Sequence, residues 1–577
     1  MSKPKRPVGG GTKKILYTLK TAQRIGWVKS AKALSAKNAC KACGLGMGGQ
    51  FGGMTNELGE FPSVCNKSVQ AQSTDIQPPI PRDVFQHSID EFRQLSAREM
   101  EQLGRLGDPI FKSRDANKFE LVDWDTAYQY IVNKFRSTES RRSFFYSSGR
   151  SSNEAGFVMQ LFARMYGTNN INNCSYYCHQ ATGVGLANTI GTGTSTVEVA
   201  DLDGCDLIVV IGANPASNHP RFIHKLKACR DRGGQVLVIN PAKEPGLVKF
   251  ALPKSMRSLI AGGSDIASCY LQPKIGGDIG LLYGIAKWLL DNRHDNQSFI
   301  EKYTEGFTQF AAHVRQLSWQ QIEQSSGVSR QAISEAAKIY ARAKNAVFAW
   351  GMGVTHHRHG VDNVEAISNL ALLRGMIGRP FAGLLPLRGH SNVQGIGTIG
   401  VKPVLAEDVI ARIEKSLAID ISPSLADRGL DTLACLEAAE AGEMDMAWIM
   451  GGNLYQATPD STWADRALSC IPTKIYLTTT LNVGHLYGLE NSEALILPVL
   501  ARDEEPQATT QESMFNFVRM SDGGISRIDN ARSEIDVLAT IASKVLDNEK
   551  AQGFDFSSFS SRRTIRQAIA SSVEGME

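Results

Sequence analysis

Several absences narrow the reading of this 577-residue chain. No stretch approaches the roughly 18 consecutive apolar residues that a membrane-spanning helix needs, so no transmembrane segment is expected. Ten cysteines in a chain this long are too few for a disulfide framework. They suit a reducing compartment, where a C-x-x-C binds metal or does redox work. No apolar signal segment and no twin-arginine pair stands near the start, which points to the cytoplasm, with a mitochondrial-type presequence as the weaker alternative. No Walker A motif is present. Residues 1–37 contain no acid at all, against eight Lys and two Arg. The formal net charge of +4 therefore leaves about −6 on the rest of the chain, which is not the profile of a nucleic-acid binder. Within this basic start, "ILYTLKTAQRIGWVKSAKAL" could form one amphipathic helix that docks on a partner or an anionic surface. A solvated arm that packs locally is the commoner fate of such a tail.

The length exceeds what one hydrophobic core serves, so several lobes are expected. Residues 38–104 are rich in Gly and Pro and hold Cys40, Cys43 and Cys65; "QPPIPRDVF" reads as a loop leaving this unit. From about residue 120 strands and helices alternate. "RSFFYSSGR" reads as a buried strand ending in a turn, and "NEAGFVMQLFARMYG" as a helix. "DLIVVIGANP", "PRFIHKLKACRDRGG" and "QVLVINP" make a βαβ unit. "NAVFAWGMG" with the helix "DNVEAISNLALLRGMIG", then "MDMAWIMGGN" and "TKIYLTTT", repeat the pattern. The expected fold class is α/β, with doubly wound, mostly parallel sheets. In such sheets ligands bind beyond the carboxyl ends of strands. Three such ends carry "GANPASNHP", "GMGVTHH" and "GGNLYQATPD". Gly lets backbone N–H groups come close to a ligand, which suits a large, polar, phosphorylated cofactor. None of these three loops is G-x-G-x-x-G, so a single-site NAD enzyme is a poor match.

Three further stretches carry chemistry. In "NNCSYYCHQATGVGLANTIG", Cys178 and His179 precede a helix-forming segment. A helix N-terminus lowers a thiol pKa and a neighbouring imidazole can move a proton, so Cys178 is a candidate nucleophile or soft metal ligand; a buried inert cysteine is the plainer alternative. In "FAGLLPLRGHSNVQG", Arg388 lies between Pro386 and Gly389, where a guanidinium suits a planar anion or a structural ion pair. The three His of "THHRHG" lack zinc spacing and are read as loop residues. "CKACGLGMGGQFGGMTNELGEFPSVC" presents three thiols in metal-ligand spacing.

Together "CHQATGVGL", "DLIVVIGANPASNHPR", "WGMGVTHHRHGVDNVEAISNLALLRGMIGRP", "GLLPLRGHSNVQG" and "ALILP" resemble one family, the molybdopterin-dependent oxidoreductases of the formate dehydrogenase type, in their YdeP-like branch. The resemblance runs from about residue 38 to about 530. It implies a multi-lobed fold and a bis-pterin guanine dinucleotide cofactor holding molybdenum or tungsten. Cys178 would ligate the metal, His179 would shuttle a proton, and Arg388 would anchor a small anionic substrate, formate first. Gly212, Asn214, Asn240, Gly351, Gly353, Gly389, Asn392, Gln394, Gly451 and Asn453 fall on cofactor-binding motifs. Cys40, Cys43 and Cys65 match three of the four ligands of a [4Fe–4S] cluster, with Met47 where the third belongs. Lys67 matches a lysine between cluster and pterin. Electrons would leave through the cluster to an acceptor protein or subunit. Zinc on three cysteines is the rival for that site.

The resemblance also implies an arrangement of parts. Residues 1–37 would be an extension and 38–104 the iron–sulfur subdomain. Residues 105–173 with 391–473 would form one pterin-binding lobe, 174–390 the second, and 474–577 a return segment. The family's C-terminal cap domain is expected to be missing. That departure, with Met47, keeps a second function in view: a truncated or cofactor-poor paralogue acting as a binding or assembly subunit.

Overall fold

The structure is a computed structural model, and it describes residues 8–421, 428–525 and 527–577. Two largely parallel sheets organise it. One has the order Cys269–Leu271, Gln235–Ile239, Leu207–Ile211, Ala346–Trp350, Gly383–Pro386, all parallel. Its two central strands, "LIVVI" and "AVFAW", are buried at every position. Parallel strands covered on both faces need such unbroken apolar runs. The strand order reverses between Leu207–Ile211 and Ala346–Trp350, whose last residues stand side by side. This is a switch point, where the chains leaving neighbouring strands diverge to opposite faces and leave a crevice.

The second sheet runs Glu120–Leu121, Ile110–Lys112, Glu493–Pro498, Thr473–Thr478, Met446–Met450, Ser143–Ser147, Ile171–Asn173. Its last five strands are parallel and the first two form an antiparallel edge. Trp448 anchors its core, with ring centroids 6.0 Å from Phe135 and 6.5 Å from Phe145. Helix Asn153–Tyr166 is buried on all sides, starts under a Ser152 cap and stops at Gly167, whose φ of 109° ends the turn. A second switch point lies between Ser143–Ser147 and Met446–Met450. The expected α/β class with doubly wound, mostly parallel sheets is the one observed.

The cysteine-bearing loops pack against a late hairpin, Thr509–Glu512 with Val518–Ser521. The Ala39 amide donates to Ser521 Oγ at 2.9 Å and the Met514 amide to Gly44 O at 2.8 Å. The basic start, read as a locally packed arm with one amphipathic helix as the other reading, is helical but not one helix. It forms Thr12–Ile25 and Trp27–Ser35, broken at Gly26, whose φ of 92° lies in the left-handed region an α-helix does not use. Its lead-in, Gly9–Gly10, pairs in parallel with Phe250–Ala251.

Candidate functional site

Both switch points open on one cavity of about 1210 Å³. Gly212, Asn214, Gly351 and Gly353 line it from one sheet, Ser148, Gly451 and Asn453 from the other. Asn240, Lys67, Cys178 and Gly389 complete the predicted residues on its wall. The glycines serve different ends. A Cβ on Gly353 would lie 2.7 Å from the Gly212 carbonyl, so these two loops need Gly to touch each other. A Cβ on Gly389 would meet nothing within 4 Å, so there the missing side chain keeps the cavity open. The asparagines brace the loops: Asn214 donates to Glu244 at 2.6 Å, and Asn453 Oδ1 accepts the Gln456 amide at 3.1 Å.

Helix Tyr176–Ile190 carries Cys178 in its first turn, and the next residue, His179, breaks the helical dihedrals at φ −135°, ψ 21°. The break puts Cys178 on the cavity wall and turns His179 beneath it, at 1% exposure. Nε2 of His179 faces the Leu387 carbonyl at 3.3 Å, which can only accept, so Nε2 carries the hydrogen. Nδ1 then accepts from Thr182 Oγ1 at 3.0 Å, itself held by Trp350 Nε1 at 3.0 Å. Burial pushes the imidazole down to about 3, so it is neutral at physiological pH. The Cys178 thiol is raised, against the expectation from its helix N-terminus: burial outweighs Arg388 and the Gly389 amide, which favour the thiolate.

Arg388 is 6% exposed and lies behind the wall rather than on it. Its guanidinium donates to Gly193 O at 2.8 Å and Ser175 Oγ at 3.5 Å, and its buried Nε has no partner. Asn392 and Gln394 also sit off the wall. Asn392 donates to Ser151 O and Asn153 Oδ1, and Gln394 to Glu512 and Asn516. Cys174, His390 and Arg502 line the cavity without having been singled out. Cys174 Sγ lies 3.1 Å from His390 Nδ1 and accepts the Gly149 amide at 3.1 Å. Arg502 donates to Arg150 O, Ser391 Oγ and Cys40 O, with a buried Nε unpartnered. Cys174 and His390 stand inside quoted motifs, so their spacing from Cys178 and Arg388 was a usable signal; Arg502 gave none. Of the loop histidines, His356 and His357 also reach the wall.

The description of the molybdopterin oxidoreductases matches residues 105–543. The chain belongs to the molybdopterin oxidoreductase family. Within that family it is 36% identical over 481 residues to protein YdeP of Escherichia coli, covering 80% of this chain and 63% of that one. It is 30% identical over 388 residues to a formate dehydrogenase alpha subunit of Methanocaldococcus jannaschii, covering 65% and 54%. Among solved structures, acetylene hydratase from Pelobacter acetylenicus superposes with a TM-score of 0.59 over 78% of this chain and 63% of that one, at 16% identity, a likeness of fold. The chain thus spans less than two thirds of each of these proteins.

For a molybdopterin oxidoreductase the cavity fits the cofactor its family implies. It offers a thiol at Cys178, open space over Gly389, and the Arg502 guanidinium, whose buried Nε has no partner. The cysteine triplet fits less completely. Burial raises the Cys40 thiol, with Cys65 adding to it; Cys43 is pushed up to about 12 by burial, then by Cys40 and Cys65. The three thiols are thus within electrostatic reach of one another. Among the described residues no three His, Cys, Asp or Glu are close enough to share a single ion. A cluster spreads its thiolates over separate irons. Met47, at 2% exposure, packs in the interior while its carbonyl accepts the Cys40 amide at 2.9 Å. The triplet thus supplies one thiolate fewer than the usual cluster set.

Proposed function

We propose that the chain is a formate dehydrogenase-like oxidoreductase acting on a small anion, formate first. The observation that carries this reading is Cys178 on the wall of the cavity where both switch points converge. Cys178 would ligate molybdenum or tungsten on a bis-pterin guanine dinucleotide. Gly212, Asn214, Asn240, Gly351, Gly353, Gly389, Gly451 and Asn453 would line its seat. The metal, when bound, supplies the acceptor for the substrate's electron pair. A thiolate donates density to such a centre, and soft sulfur suits it.

This chain's residues would do the rest. Arg388, charged and lacking an acid in hydrogen-bond reach, would attract the carboxylate from just behind the wall. His179 is neutral and held at both nitrogens, so taking a proton at Nδ1 requires the Thr182 hydroxyl to turn and accept instead of donate. Burial makes that costly, which assigns it first to fixing the kink behind Cys178. Cys40, Cys43 and Cys65 would hold the iron–sulfur cluster, with Lys67 on the cavity wall beside the pterin, and electrons would leave to an acceptor protein. All ten cysteines are free, in keeping with a reducing, cytoplasmic setting. No helix among the described residues is long and apolar enough to cross a membrane.

Metal analysis tests the reading. Purified protein should carry about one molybdenum or tungsten per chain, and Cys178→Ala should lose it while remaining folded. A wild-type protein that holds neither metal after expression with both supplied would instead support a cofactor-poor binding subunit.

A further inference from the structure

Helices Thr12–Ile25 and Trp27–Ser35 are tied down along one edge only. Thr21, Ile25, Ser30 and Ala33 are buried, and the pair packs on helix Asn66–Asp75. The outward face is another matter. Leu16, Tyr17 and Leu19 on the first helix and Trp27 and Val28 on the second are exposed, from 43% at Tyr17 to 81% at Val28. Lys13, Lys14, Lys20, Arg24, Lys29 and Lys32 are interspersed with them, all exposed, and neither helix contains an acid. The next surface has the same character. The strand that pairs with Gly9–Gly10 leads into helix Met256–Ile260, where Met256 is 71% and Ile260 82% exposed, flanking Arg257.

An apolar, cationic face whose two helices carry no acid needs an anionic cover that tolerates mixing. A protein partner would bury an apolar centre from which Lys is largely excluded. Here lysines stand among the apolar side chains. Lys14 even lies over the Tyr17 ring, 4.8 Å from its centroid. Aromatic and aliphatic side chains dipping between headgroups, with lysines among the phosphates, is how a helix lies in a bilayer interface.

We propose that this face docks the protein, peripherally and reversibly, on an anionic phospholipid surface. The contact uses no cofactor, so it stands or falls independently of the proposed activity. Each cation brought to such a surface strengthens binding about fivefold.

Flotation of the full chain with phosphatidylcholine vesicles, with and without phosphatidylglycerol, tests it. Binding should require phosphatidylglycerol and vanish near 1 M salt, where the screening length falls to about 3 Å. Lys13→Gln, Lys20→Gln and Lys29→Gln together should weaken it about a hundredfold. Trp27→Ser with Val28→Ser should weaken vesicle binding while leaving any binding to soluble polyglutamate unchanged. All these positions are exposed, and matching melting curves would show the variants folded. Absence of binding to phosphatidylglycerol vesicles at low salt overturns the proposal. So does binding that the triple variant retains. Equal binding of wild type and the Trp27/Val28 variant to vesicles would reduce the face to a general polyanion site and overturn it as well.

Discussion

The amide of Gly44 donates to the carbonyl of Gly389 at 3.2 Å, which joins the cysteine-bearing loop to the loop that carries Arg388. The approach is so close that a Cβ on Gly44 would stand 2.7 Å from the Arg388 carbonyl and 3.3 Å from its Cβ. His219 Nε2 donates to that same carbonyl at 2.7 Å. The Arg388 backbone is therefore held by two elements, and Gly44 is what lets them meet.

Gly44→Ala should push these loops apart. Overpacking of this kind costs about 1–3 kcal/mol. Denaturant melts should show the loss, and metal content should fall with it, because the displaced loop includes Gly389 on the cavity wall. A variant as stable as wild type would show that the loops yield freely.

Arg388 is expected to select substrate charge. Arg388→Lys keeps the charge and loses the planar fork, at roughly 1.5–3 kcal/mol for a charge-assisted bond, or about ten- to a hundredfold in kcat/KM with a carboxylate substrate. Arg388→Ala should cost more. Steady-state kinetics on formate checks this, and unchanged kinetics for Arg388→Ala would remove its anchoring role.

The cysteine triplet should bind iron and acid-labile sulfide when the protein is purified without oxygen, with an EPR signal on reduction. Cys43→Ser should lower iron content and leave molybdenum or tungsten in place. Zinc in stoichiometric amount without sulfide would reassign the site as structural.

Glu534 lines the cavity, accepts from Ser151 Oγ at 3.2 Å, and is pushed up to about 7 by burial, with Glu505 adding to the rise. A carboxyl raised in the folded state favours folding below the unfolded pKa, near 4.3, and loses that contribution as pH climbs through 7. Glu534→Gln stays neutral throughout. Relative to the variant, wild type should therefore lose stability between about pH 4 and 7, by roughly 3–4 kcal/mol at most. Melting curves across that range check it; Glu154, also pushed up to about 7, is common to both proteins and cancels in the difference.

What was legible in the sequence followed from local rules. Unbroken apolar runs such as "LIVVI" and "AVFAW", short and β-branched or aromatic, read as strands covered on both faces, and the Gly that follows each marks a strand end. The motif order around Cys178 and Arg388 was enough to identify the family. What the tertiary structure decided was direction and environment. Two switch points formed from segments hundreds of residues apart meet at one cavity, and no local pattern encodes that meeting. Burial reversed the expected sign at the Cys178 thiol, because desolvation depends on what packs around a group and not on its place in a helix. The same packing turned His179 and Arg388 behind the wall and brought Cys174 to His390, 216 positions away in the chain. Gly26 split a helix whose amphipathic period ran straight through it, since one positive φ outweighs a continuous pattern.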